Sequence, residues 1–215
     1  MRLIPFGLGI GVGATGALLI APQLVPHASA SCPGVEVVFA RGTDEPPGVG
    51  KVGGAFVSAL REQTRKSVGA YAVNYPANKD FLAATNGAND ASTHLQQMAV
   101  NCPNTKLVLG GYSQGAAVVD MLAGIPPLGN KVGEVGSAPP LPNSLMPQIA
   151  AVVAFGNPAT KFGNPVTSSV FGGKAIDLCK DGDPICSRGR NPFAHSDYVS
   201  AGLTDQAANF VAGIV

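Results

Sequence analysis

The chain has 215 residues, 46% of them hydrophobic and 13% charged, with a formal net charge of +1. This is enough for one sizeable core and excludes a disordered polyelectrolyte. With a charge so near zero, no basic run and no basic-aromatic stripe, no nucleic-acid partner is expected.

In chain order, MRLIPFGLGIGVGATGALLIAPQLVPHASA comes first. Arg2, an apolar glycine-rich run and the small residues Ala28-Ser29-Ala30 have the pattern of a signal peptide over residues 1–30. The expected mature chain is a single domain over 31–215, secreted or extracellular and compatible with retention at the cell wall. Pro5, Pro22 and Pro26 weaken the competing reading, a retained membrane anchor. Gly11-Val12-Gly13-Ala14-Thr15-Gly16 matches a dinucleotide fingerprint, but no strand precedes it and no ribose-binding acid stands about 20 residues on.

Val35 to Ala40 reads as a strand, ending at Arg41-Gly42-Thr43. Val52 to about Arg65 carries Val52, Ala55, Phe56, Ala59 and Leu60 at helical spacing. Tyr71-Ala72-Val73 is a second strand, followed by a loop, NYPANKDFLAATNGAND, and a helix from about Asp90 to Asn101. A third strand runs from Lys106 to Gly110 and a third helix from Gln114 to Ala123. The Pro/Gly-rich stretch from Ile125 to Pro147 is long for a loop, so it is either functional or variable. Ile149 to Phe155 is a continuously apolar strand, Lys174 to Leu178 a fifth, and the tail from about Thr204 to Val215 is helical. Strands and helices alternating at these lengths predict an α/β fold with a mostly parallel sheet and helices on both faces.

Four cysteines, Cys32, Cys102, Cys179 and Cys186, follow the signal peptide. An even count there points to two disulfides, with three possible pairings. Cys179–Cys186 with Cys32–Cys102 is preferred: the first closes a tight loop holding Gly182 and Pro184, the second ties the start of the fold to the foot of a later strand. Zinc is the poorer reading, since the spacings are not C-x-x-C and no paired histidines join them, so no metal and no cofactor is expected. Ser29-Ala30-Ser31-Cys32 faintly resembles a lipoprotein cleavage box, which would leave Cys32 unable to pair.

The third strand runs straight into Gly111-Tyr112-Ser113-Gln114-Gly115. Random placement of 28 glycines and 13 serines gives roughly 0.2 Gly-x-Ser-x-Gly matches per chain, so the motif gains its weight from its place on a strand-to-helix turn. There the glycines are expected to let Ser113 take a strained backbone, and the helix start supplies N–H groups where an oxyanion would develop. A serine hydroxyl needs a base. On this topology the acid and histidine follow the serine, and His195 is the sole histidine downstream; His27 leaves with the signal peptide and His94 precedes Ser113. Among the intervening acids Asp120 reads as a solvated helix residue, Glu134 lies in the Pro/Gly-rich stretch and Asp177 lies in a strand. Asp181 and Asp183 share the Cys179–Cys186 loop, and the residues alone barely separate them.

Val38-Phe39-Ala40-Arg41-Gly42-Thr43, Cys102-Pro103, GGYSQG at 110–115, Cys179 with Gly182-Asp183-Pro184-Ile185-Cys186, and His195 together resemble the cutinase family of serine esterases, particularly its mycobacterial cutinase-like members. The resemblance spans nearly all of the mature chain. It implies a single-domain, three-layer α/β-hydrolase-like fold with a five-stranded parallel sheet and no large lid, and a catalytic triad of Ser113, Asp183 and His195. It implies oxyanion donors at Gln114 (backbone N–H) and Thr43 (N–H and hydroxyl, where fungal members usually carry Ser), and it supports both preferred disulfides. Phe81 and Phe193 are candidates for an acyl-binding wall, though each could equally be core; the stretches 78–82 and 190–193 depart from the family's crevice lips. The implied substrates are short- to medium-chain acyl or lipid esters, met by a monomer that could touch lipid or cell envelope peripherally. The same triad would also serve a phospholipase, thioesterase or acyltransferase, and a secreted binding or antigen protein with a vestigial site is the reading from another class.

Overall fold

A computed structural model describes residues 32–128 and 136–215. The signal-peptide pattern and Glu134 lie outside the described residues. Five strands, β1 (Val35–Ala40), β2 (Val68–Ala72), β3 (Lys106–Tyr112), β4 (Ile149–Phe155) and β5 (Ala175–Leu178), form one parallel sheet in the order β2-β1-β3-β4-β5. The helices are α1 (Gly50–Gln63), α2 (Ala84–Asn101), α3 (Gln114–Leu122) and α4 (Leu203–Ala212).

Alternation along the strands sorts the core into two layers. Val38, Leu107, Leu109 and Val152 face α2 and α3. Val37, Phe39, Val108, Val153 and Phe155 face α1 and α4. A sheet covered on both faces needs apolar residues at every position, and β4 is buried throughout. Leu107 pairs with Ile149 but Val108 with Ala151, so Ala150 is an extra residue in β4. It puts Ile149 in one layer and Ala151 in the other.

Several element ends are shifted from expectation, the start of α2 the furthest. β2 starts and ends earlier than the Tyr71–Val73 run. α2 begins at Ala84, inside the stretch read as a loop. Asn and Gly there mask a seam of small residues, Ala84, Gly87, Ala88 and Ala91, on one helical face. A Cβ on Gly87 would lie 3.0 Å from Val118 and 3.1 Å from Tyr75, so the missing side chain lets α2 close on α3.

The sulfurs of Cys32 and Cys102 are bonded, as are those of Cys179 and Cys186. No helix among the described residues is long and apolar enough to cross a membrane.

Candidate active site

A parallel sheet opens all its carboxyl ends on one edge, where such folds keep their sites. The segments leaving β1, β3 and β5 at that edge carry Thr43, Ser113 and Asp183. His195 sits on a 3-10 turn, Pro192–Ser196, whose Phe193 N–H donates to the Asn191 side-chain carbonyl.

Ser113 sits between β3 and α3 with φ 56° and ψ −116°. A positive φ at a residue with a Cβ is strained, and it is held by the Ser113 N–H donating to the Phe155 carbonyl at 2.9 Å. The flanking glycines serve a different need from the one expected. Neither has a positive φ; a Cβ on Gly111 would overlap the Gly115 carbonyl, and one on Gly115 would overlap the Ala40 carbonyl. They are small because the helix start is pressed against the strands, while the serine itself bears the strain.

The Ser113 hydroxyl lies 2.8 Å from His195 Nε2, and His195 Nδ1 lies 2.8 Å from Asp183 Oδ2. Asp183 is fully buried and Asp181 exposed, so two residues two positions apart have opposite environments. Asp183 Oδ1 accepts the Ile185 N–H at 2.8 Å, and Oδ2 accepts the Tyr198 hydroxyl at 2.6 Å. Burial pushes the Asp183 carboxyl up, but the hydrogen bonds from His195, Tyr198 and Ile185 outweigh it and hold it below the ordinary value. Tyr112 stacks on the His195 ring at 5.1 Å between centroids and donates its hydroxyl to the His195 carbonyl.

The Thr43 segment is fixed from beneath. Buried Arg41 donates to the Glu45 carbonyl at 2.8 Å and the Tyr75 carbonyl at 2.8 Å, with its guanidinium over the Tyr75 ring. The Glu45 carboxylate receives the Gly42 and Lys51 N–H groups, each at 2.7 Å. Thr43 Oγ1 donates to the Gln114 side-chain carbonyl at 3.3 Å. The Gln114 N–H belongs to the first turn of α3, where backbone donors have no intrahelical acceptor.

Phe81 and Phe193 are 46% and 81% exposed, which removes the core reading for both. Phe193 stands two residues before His195 on the same turn. His94 lies away on α2, paired with Glu36 and stacked on Tyr71. Asp120 is not solvated: it is completely buried, and Asn157 donates to it at 3.0 Å and to Asp177 at 2.8 Å. Among the described residues no group of three or more His, Cys, Asp or Glu could hold a metal ion.

Sequence reasoning missed Tyr198, Tyr112 and Asn157. Tyr112 lay inside the GYSQG motif and could have been asked for a role. Tyr198 and Asn157 carry no local signal, because their partners are 15 and 37 residues away in the chain. A hydroxyl, an imidazole and a buried carboxylate in line can raise the nucleophilicity of the hydroxyl and stabilise the imidazolium that results.

Comparison with known proteins gives consistent relatives. A family model described as Cutinase matches residues 31–215. A Mycobacterium tuberculosis protein named Phospholipase Culp4 is 57% identical over 201 residues, 93% of this chain and 86% of that protein. Another from the same organism, named Probable carboxylesterase Culp3, is 50% identical over 222 residues, 98% of this chain and 83% of that protein. Among solved structures, a Trichoderma reesei cutinase in complex with a phosphonate inhibitor superposes with a TM-score of 0.68 at 34% identity, over 85% of this chain and 77% of that one. An acetylxylan esterase superposes with a TM-score of 0.71 at 26% identity, over 86% of this chain and 99% of that one.

Proposed function

The chain belongs to the cutinase family and is an ester hydrolase, and we propose that it is secreted and cleaves acyl or lipid esters through an acyl-enzyme on Ser113. The observation that carries this reading is the pair of 2.8 Å links from Ser113 Oγ to His195 Nε2 and from His195 Nδ1 to Asp183.

In the proposed reaction Ser113 Oγ bonds to the ester carbonyl carbon as its proton passes to His195 Nε2. The carbonyl oxygen becomes an oxyanion facing the N–H of Gln114 and the N–H and hydroxyl of Thr43. Each such donor typically contributes ~10²–10³ in rate. To donate, the Thr43 hydroxyl turns from the Gln114 carboxamide to the oxyanion. His195 returns the proton to the departing alkoxide, which leaves as the alcohol. Water then attacks the acyl carbon, gives its proton to His195, and Ser113 leaves with that proton as the acid is released. Asp183 stays ionised throughout, which its lowered pKa supports.

Hydrolysis of p-nitrophenyl esters from acetyl to palmitoyl tests this, with Ser113→Ala alongside. The variant should lose about 10⁶ in kcat. Turnover by the variant near the wild-type rate refutes the reading, and inertness of both proteins brings the vestigial binding role forward. A phospholipase reading is favoured by one observation, the 57% identity to a protein named a phospholipase. Release of fatty acid from phosphatidylcholine vesicles at a rate above that on monomeric esters supports it; ester turnover without phospholipid cleavage removes it.

A further inference from the structure

Asp183 receives a second donor from a side chain that the reaction above does not use. We propose that Tyr198 is a positioning residue of this centre, pinning Asp183 and taking up part of its negative charge through the same Oδ2 that faces His195. The inference rests on the Ser113–His195–Asp183 reading.

Tyr198 is completely buried, and its hydroxyl lies 2.6 Å from Asp183 Oδ2. The Lys180 N–H approaches the same hydroxyl at 3.3 Å and takes a lone pair, so the phenol proton is left to point at an acceptor. The acceptors within reach are Oδ2 and the disulfide sulfur of Cys186 at 3.3 Å, and a carboxylate oxygen outcompetes a sulfur. Asp183 Oδ1 is already held by Ile185. The carboxylate is therefore fixed at both oxygens, with Oδ2 divided between an imidazole N–H and a phenol O–H.

The phenol is itself immobilised. Its ring packs edge-on against Phe155 at 6.2 Å, Tyr112 at 5.6 Å and His195 at 6.3 Å. Beneath them Gly156 has φ +58°, and a Cβ there would stand 3.0 Å from both His195 Cε1 and the Tyr198 hydroxyl. The two side chains thus close over a glycine that leaves no slack. Burial, reinforced by the bond to Asp183, pushes the Tyr198 phenol well above its ordinary value, so it stays a donor at every working pH. Tyr112 also faces this cluster, raised by burial and then by the nearby Glu45 carboxylate.

Tyr198→Phe removes one O–H and keeps the ring. Its test is kcat, KM and the pH profile of ester hydrolysis, with active sites counted by a serine-directed phosphonate and Ser113→Ala run in parallel. Without the phenol proton the carboxylate is less pinned and more basic towards the imidazolium. The expected result is a kcat about tenfold lower per active site, an unchanged KM, and an acid limb moved to higher pH. Wild-type kcat, or a lower kcat with an unmoved or lowered acid limb, overturns the proposal. Should Tyr198→Phe not fold, Tyr198→3,5-difluorotyrosine keeps the packing and donates more strongly. It should move the limb to lower pH, and an unmoved or raised limb again overturns the proposal. Activity that survives Ser113→Ala would instead sink the underlying reading, a failure distinguishable from that of Tyr198.

Discussion

Asp183 and Asp120 are both buried without exposure, yet their surroundings are opposite in character. Asp183, beyond the carboxyl end of β5, receives Ile185, His195 and Tyr198, and these donors hold it below its ordinary value against the push of burial. Asp120, within α3, receives Asn157 at one oxygen, and its other oxygen has no partner among the described residues. Burial pushes Asp120 far up, the nearby Asp177 adds to it, and Asn157 opposes too weakly. Asp177 is raised as well, chiefly by burial. Burial alone therefore does not decide the charge of a carboxylate here; its donors and the sign of its neighbour do, an imidazole beside Asp183 and a second carboxylate beside Asp120. A carboxylate kept ionised beside an imidazole can stabilise a cation as it forms, whereas burial beside a second carboxylate disfavours the charge of Asp120.

The sharpest way to break the contrast is to replace each acid by its amide. Asp183→Asn should lower kcat on a p-nitrophenyl ester by about 10⁴, because the imidazole loses its orienting charge. Asp120→Asn should stay within about threefold of wild type, since an amide of nearly the same shape keeps an oxygen for Asn157 and Asp120 touches none of the reacting atoms. Equal losses in the two variants would erase the distinction.

The disulfides sharpen the same contrast between site and support. Opening Cys32–Cys102 with paired alanines should cost about 4.4 kcal/mol of stability by loop entropy and leave kcat per folded molecule unchanged. Opening Cys179–Cys186 should cost less, about 2.5 kcal/mol, yet lower kcat, because that ring carries Asp183. Chemical denaturation and initial rates on each variant check both halves.

The smallest effect is in stability against pH. Asp183 has a depressed folded value, so its stabilisation is present above about pH 4 and is lost as pH falls through that lower value. Asp120 has a raised one, so its contribution is complete below about pH 4 and is lost as pH rises through the folded value. The Tm of Asp120→Asn relative to wild type should therefore climb as pH rises above about 4, while that of Asp183→Asn should fall as pH rises towards about 4 from below. Parallel Tm profiles would contradict the assigned directions.

Much of the architecture was legible because apolar runs with the right period are local. All five strands and four helices occur in the expected order, and the strand-to-helix turn at Ser113 is announced by glycines that only a crowded junction requires. Six residues of α2 escaped because small and polar residues hide a helical face whose purpose is close packing against α3. The distinction between Asp181 and Asp183 was invisible to composition, as both are aspartates in one ring; it needed the family resemblance, and in the fold it appears as exposure against burial. Asp120 was misread since a helix position has no local mark of what lies over it. Tyr198 and Asn157 belong to hydrogen bonds closed only by the fold, and no spacing in the chain encodes them.

The most direct test of the central claim is covalent. The mature protein, treated with one equivalent of a p-nitrophenyl alkylphosphonate, should gain one phosphonyl group on the peptide holding Ser113, in step with loss of ester hydrolysis, and Ser113→Ala should gain none. Labelling at another residue, or full activity in protein labelled to completion, would contradict it.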